Sequence, residues 1–188
     1  AIALLAAPAP GFAGAHLGQK VAGGLRSSGL PDWIVLMIIS AMPVVELRGG
    51  IPVGIWMGLS VPTTMLICVA GNMIPIAPFL LGLRSPLVQK LSKPLLTKAR
   101  AKVPDVDDKK QWLALVSFVG VPLPGTGAWT GAMIASILEM EFWPAMSALF
   151  TGVVSAGLIM SAITLAGTAG LAFVTVVLLA FLVASLRS

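Results

Sequence analysis

The chain has 188 residues, of which 57% are hydrophobic and 10% charged, against a charged share of roughly 25% in ordinary soluble domains. With 12 Lys and Arg and 7 Asp and Glu, it has too little polar surface to clothe so apolar a globule in water, which places it in a membrane. One cysteine, Cys68, and one histidine, His16, exclude a disulfide scaffold and a Cys/His metal cluster.

Residues 1–31 read as an N-terminal extension. Ala1 to Ala15 is uncharged and rich in Ala, Pro and Gly, and Phe12-Ala13-Gly14-Ala15 resembles a small-residue processing site, the remnant of a plastid leader. Residues 32–188 read as one membrane domain. A helix needs about 20 apolar residues to cross a hydrocarbon core of about 30 Å. Trp33 to Val45 supplies only roughly 20 Å of helix before Glu46 and Arg48, and Ile51 to Val61 adds roughly 16 Å after a break expected at Gly49 and Gly50. Residues 32–83 are therefore expected to form a hairpin that dips in and returns, followed by a span over Thr63 to Leu83. Residues 84–110 are a basic loop holding eight of the twelve Lys and Arg, which is a positive-inside signal rather than a nucleic-acid site.

Gln111 to Leu138 is uncharged, but Pro122-Leu123-Pro124-Gly125-Thr126-Gly127 interrupts it, leaving two arms of roughly 16 Å each. Phe142 to Ser185 is long enough for two spans with a turn near Gly167 to Gly170. This gives a second hairpin plus span over residues 111–166 and a C-terminal span over 168–186. The expected fold is an all-α integral membrane protein with two re-entrant helical hairpins and about three transmembrane helices. Because a hairpin returns to its own side, the single span between the two puts them on opposite faces, the plan of an inverted repeat. Placing Pro62 over Pro144 sets Gly49 over Gly131 and leaves Gly71 one residue from Gly152.

Glu46 and Arg48 are the charges bracketed by apolar runs at membrane depth, where ions are costly and mark function. Glu46 would titrate in a proton-coupled cycle, or the two would form a structural pair. Half-helices starting near Gly50 and near Gly127 would aim free N–H groups at the midplane and favour an anion. Arg48 adds a fork suited to phosphate or carboxylate. The alternative for these glycines is close helix packing. Asn72, Thr126 and Thr130 offer polar contacts or satisfy backbone freed by the breaks. Trp129 would line a cargo path, whereas Trp33, Trp56, Trp112 and Trp143 fall at run ends as interface anchors.

The strings Pro43-Val44-Val45-Glu46-Leu47-Arg48-Gly49-Gly50-Ile51-Pro52, Gly71-Asn72 and Pro122-Leu123-Pro124-Gly125-Thr126-Gly127-Ala128-Trp129-Thr130-Gly131 resemble those of the small multidrug export family, a bacterial and plastid group similar to the DedA superfamily. The resemblance implies paired re-entrant hairpins and, for several DedA relatives, transport or flipping of lipid phosphates. Gly49, Gly50, Pro52, Pro122, Pro124, Gly125 and Gly127, within these strings, are candidate substrate- or ion-binding positions. The chain lacks the second buried acid of the first hairpin and the arginines of the second hairpin of DedA relatives.

The function expected is transport of an anionic small molecule or lipid phosphate, with proton coupling through Glu46. The alternatives are a non-transporting accessory subunit of a larger photosynthetic membrane complex and a cationic drug exporter. No nucleotide loop, catalytic triad or metal constellation is present, so no enzyme, cofactor or metal is expected. The expected partners are membrane lipids and a second copy or larger membrane complex, with no nucleic acid. The expected location is a chloroplast membrane, thylakoid or inner envelope, over a bacterial inner membrane. A cysteine introduced at Lys102 should be labelled from the cytosolic or stromal side, and labelling from the opposite side alone would overturn that orientation.

Overall fold

A computed structural model describes residues 13–86, 88, 90, 107–123 and 125–187, with side chains described over 17–86, 88, 90, 107–123 and 125–167. Most of the basic loop, Pro124 and the side chains of the span expected at 168–186 lie outside those sets. Among the described residues the chain is all helical: α1 (Ala13–Ser27), α2 (Asp32–Ala41), α3 (Glu46–Trp56), α4 (Val61–Leu83), α5 (Asp108–Gly120), α6 (Ala128–Ile137) and α7 (Phe142–Arg187).

Two helical stretches, Val61–Leu83 and Phe142–Gly167, are long and apolar enough to cross a membrane. The first begins at a strong cap, where Ser60 accepts the N–H of Thr63 and Pro62 occupies the first turn. Pro75 and Pro78 lie inside it, and each deletes one i to i−4 hydrogen bond. The second stretch ends at Gly167, where φ 59° and ψ −134° interrupt the helix. This is where a turn was expected, and helix resumes directly after it.

Four of the remaining helices are short and come in two broken pairs. The α2/α3 pair is interrupted over residues 42–45 and the α5/α6 pair over 121–127. At 10, 11, 13 and 10 residues, none of the four is long enough to cross alone. The first break does not fall at Gly49 and Gly50, which lie buried inside α3 with Pro52. It falls at Met42, which is extended (ψ 132°) ahead of Pro43, and at Glu46, which has a left-handed φ of 49°. Gly50 instead provides close packing: a Cβ there would run into Ser40 of α2 and come within 2.9 Å of Cys68 Sγ of α4.

Within the N-terminal extension, Ala13–Ser27 forms a helix. Its helix α1 packs on α2 and α3, with Ala22 fully buried and Arg26 paired to Asp32 at 2.8 Å. Across the core, α3 packs on α7 while α6 packs on α4, so each broken pair touches the long helix that follows the other. Leu36, Leu47, Ile51, Ile76, Leu115 and Leu149 fill the space between them. The outer faces of α4 and α7 are apolar, with Leu66, Ile74, Phe150, Leu158 and Leu165 exposed, as a surface facing hydrocarbon requires.

At Gly71 the helices meet backbone to backbone, where a Cβ would sit 2.6 Å from the Met37 carbonyl oxygen and 3.0 Å from its Cα. Backbone cannot move aside as a side-chain end can. Gly71→Val should therefore cost about 1–3 kcal/mol, seen as a lower melting temperature in detergent. Gly82→Ala, where a Cβ meets nothing within 4 Å, should melt near the wild type.

Candidate functional site

The two breaks meet, and the residues that join them are Glu46 and Arg48. Glu46 opens α3 and is 6% exposed. Its carboxylate crosses to the start of α6, where Oε1 accepts the Trp129 N–H at 3.4 Å and the Ala128 N–H also contributes. The N-cap of α6 is Gly127, which has no side chain with which to cap, so the cap comes from another helix. A carboxylate there faces free N–H groups and the positive end of the helix dipole.

Arg48 serves the opposite end of the same break. Its guanidinium donates to the carbonyls of Leu123 and Thr126, to Thr126 Oγ1 at 2.9 Å and to the Val121 carbonyl at 3.5 Å. Those carbonyls trail the C-terminus of α5, where a cation is favoured. Thr126 Oγ1 in turn lies 2.7 Å from the Val121 carbonyl and 2.9 Å from that of Leu123, which ties the loop to itself. The guanidinium fork expected to meet a cargo is thus turned onto the chain's own backbone.

Geometry around the carboxylate is tight. A Cβ on Gly127 would overlap the Glu46 carboxyl group, so the glycine is required by close approach rather than by its φ of −93°. Gly125 is required by its φ of 83°. Glu46 itself, with Glu139 (φ 54°), is one of the non-glycine residues with positive φ among those described, a conformation that costs roughly 1–2 kcal/mol. Such strain concentrates where a side chain must be aimed.

Glu46, Leu47, Arg48, Asn72, Val119, Gly127, Ala128, Val153 and Ala156 line a cavity with room for about one water molecule. Asn72 is 1% exposed and its Oδ1 has no hydrogen-bond partner. Trp129 packs against Phe79 with ring centroids 4.8 Å apart and the rings tilted by 54°, and its indole Nε1 is buried without a partner. Thr130 lies half-buried in the first turn of α6 and Pro122 half-buried in the loop. Gly49, Gly50 and Pro52 sit within α3, and Pro124 lies outside the described residues. Sequence reasoning had no access to the carbonyls of Val121 and Leu123, because an acceptor on the main chain leaves no mark in residue type. It also missed Val153 and Ala156, whose only signal is the neighbouring small residue Gly152. Among the described residues, no three His, Cys, Asp or Glu side chains converge on a metal position.

The matched stretch of sequence contains this arrangement. The model of the family described as "Putative small multi-drug export protein" matches residues 46–159. The chain belongs to this small multi-drug export family. Its matched region runs from Glu46, at the edge of the first break, through the second break into α7, and it gives the chain the coarse character of a transporter-like membrane protein. Neither a curated protein nor a solved structure matches the chain.

The contact between Gly127 and Glu46 can be tested by a double-mutant cycle. Gly127→Ala should cost about 1–3 kcal/mol of stability in detergent, because the carboxylate has to move. In a Glu46→Ala background the same change should be nearly free, giving an interaction energy of about 1 kcal/mol or more.

Proposed function

We propose that the chain is a proton-coupled membrane carrier whose two broken helix pairs enter from opposite faces of the bilayer and meet at Glu46. In this reading each pair and the long helix after it are copies of one unit. Shifting the register by one residue from the proline match sets Gly50 over Gly131, Cys68 over Leu149 and Gly71 over Gly152. The contacts support that register. A Cβ on Gly50 would meet Ser40 and Cys68, and one on Gly131 would meet Val119 and Leu149; Gly71 faces the carbonyl of Met37, and Gly152 that of Val116. Gly58 and Glu139, also matched, both have positive φ. Each lies in the same 3.1 Å closing hydrogen bond, from Leu59 N–H to Gly54 and from Met140 N–H to Ala135. A pair that returns to its own side, then one span, inverts the second unit relative to the first.

The observation that carries the functional reading is Glu46 seated on the N-terminus of α6. That seat is built for an anion, and at present the chain's own carboxylate fills it. A cargo anion, whether a small molecule or a lipid phosphate, competes with Glu46 for those N–H groups. Protonation of Glu46 removes its charge and vacates the seat, so proton and anion travel together. Arg48 holds the loop that presents the seat instead of binding the cargo.

The test is flux into liposomes containing the reconstituted protein, with phosphate lipids, small anions and cationic dyes offered in parallel. Glu46→Gln should keep the fold and abolish pH dependence, because the amide preserves shape but cannot titrate. Arg48→Lys should lose about 1–3 kcal/mol of stability and reduce flux, because an ammonium cannot reach the spread of acceptors that the guanidinium spans. Movement of dyes alone would overturn the anionic cargo, and movement of nothing would overturn the carrier.

A further inference from the structure

Resting on the reading of Glu46 as the coupling group, a second question is where its proton goes. A charged carboxylate only accepts hydrogen bonds, and the N–H groups of Ala128 and Trp129 suit it. A protonated carboxyl also carries an O–H that needs an acceptor, and the main chain at the N-terminus of α6 offers it only N–H donors. An acceptor without a partner lines the same cavity: Asn72 Oδ1, on a side chain that is 1% exposed.

We propose that Asn72 is the acceptor for the proton that Glu46 carries, so that Glu46 alternates between capping α6 when charged and donating its O–H to Asn72 of α4 when neutral. The proton passes from hydronium to a Glu46 carboxylate oxygen, leaving water behind, and the cavity has room for about one such molecule. The facing charge is Arg48, on α3 itself. The other helices around the cavity present Asn72 from α4, Val119 from α5, Gly127 and Ala128 from α6, and Val153 and Ala156 from α7, none of which titrates. Among the described residues that line this cavity, Glu46 is the carboxyl that titrates.

The arrangement also accounts for a polar side chain that otherwise makes little sense. A buried amide oxygen with no partner destabilises the charged state relative to an apolar residue of the same size. It becomes useful only when a donor arrives. Asn72 is thus a positioning residue, and switching Glu46 from α6 to α4 exchanges a contact to one broken pair for a contact to the long helix after the other.

The experiment follows the carboxyl C=O infrared band of Glu46 in reconstituted protein across pH, isolated as the difference between wild type and Glu46→Gln. In Asn72→Leu the neutral form loses its acceptor, so the midpoint should fall by about one pH unit, and the residual band should shift to the frequency of a carboxyl without a strong acceptor. The same variant should melt at or above the wild type at high pH, because an orphaned polar atom has been removed. An unchanged midpoint, an unchanged band, or a variant that fails to fold at high pH would each overturn the proposal. Transport is measured separately on the same liposomes. An Asn72-dependent band without flux would retain this latch and sink the carrier, whereas pH-dependent flux indifferent to Asn72→Leu would do the reverse.

Discussion

Two side chains on one short helix close both open ends of a break in another, and the rest of the centre is arranged around that. A helix interrupted in apolar surroundings exposes N–H groups on one side and carbonyls on the other, each costing several kcal/mol if left bare in hydrocarbon. The α5/α6 loop has no side chain of its own at its N-cap, Gly127. Glu46 supplies the negative partner and Arg48 the positive one, each at the dipole end that favours its sign. Charges that would be expensive alone are stabilised by backbone that would be expensive alone.

This dependence explains several local features that look unrelated. Gly127 leaves room for the carboxylate, and Glu46 takes a strained φ of 49° to aim it. The α2/α3 pair is drawn against α4 through Gly50 and Gly71, which fixes the height at which α3 presents its charges. Thr126 braces the loop from within. A centre held by one carboxylate between two helices has a natural second state, since a change in that group's charge alters which helix it prefers.

The second break was legible because Pro122, Gly125 and Gly127 lie together in an otherwise uncharged run, and proline and glycine announce themselves. The first was displaced because Gly50 carries the same signal for a different reason: it lets helices approach, while the left-handed residue is a glutamate, which no propensity would nominate. Glu46 and Arg48 stood out as charges in apolar sequence, yet their partners are mostly main-chain atoms more than seventy residues away, and Arg48 lies 75 positions from Leu123. Nor does composition distinguish an asparagine that is satisfied from one that waits. The helix α1 was hidden for a similar reason, since Ala/Gly-rich sequence reads as leader until Ala22 and Gly18 are seen packed on α3.

Capping between distant helices also sets the order in which the chain can be assembled. At ordinary synthesis rates the 75 residues between Arg48 and Leu123 take roughly 4 to 15 seconds to emerge. During that interval the two charges of the first helix pair have only each other to answer them. The nascent chain then has to wait at the insertion machinery, keep Glu46 and Arg48 in water, or be held by a chaperone until residues 121–129 arrive. A product truncated before that loop would present an acid and a base without their loop partners within an apolar segment, a mark of an unfinished molecule for membrane quality control to read.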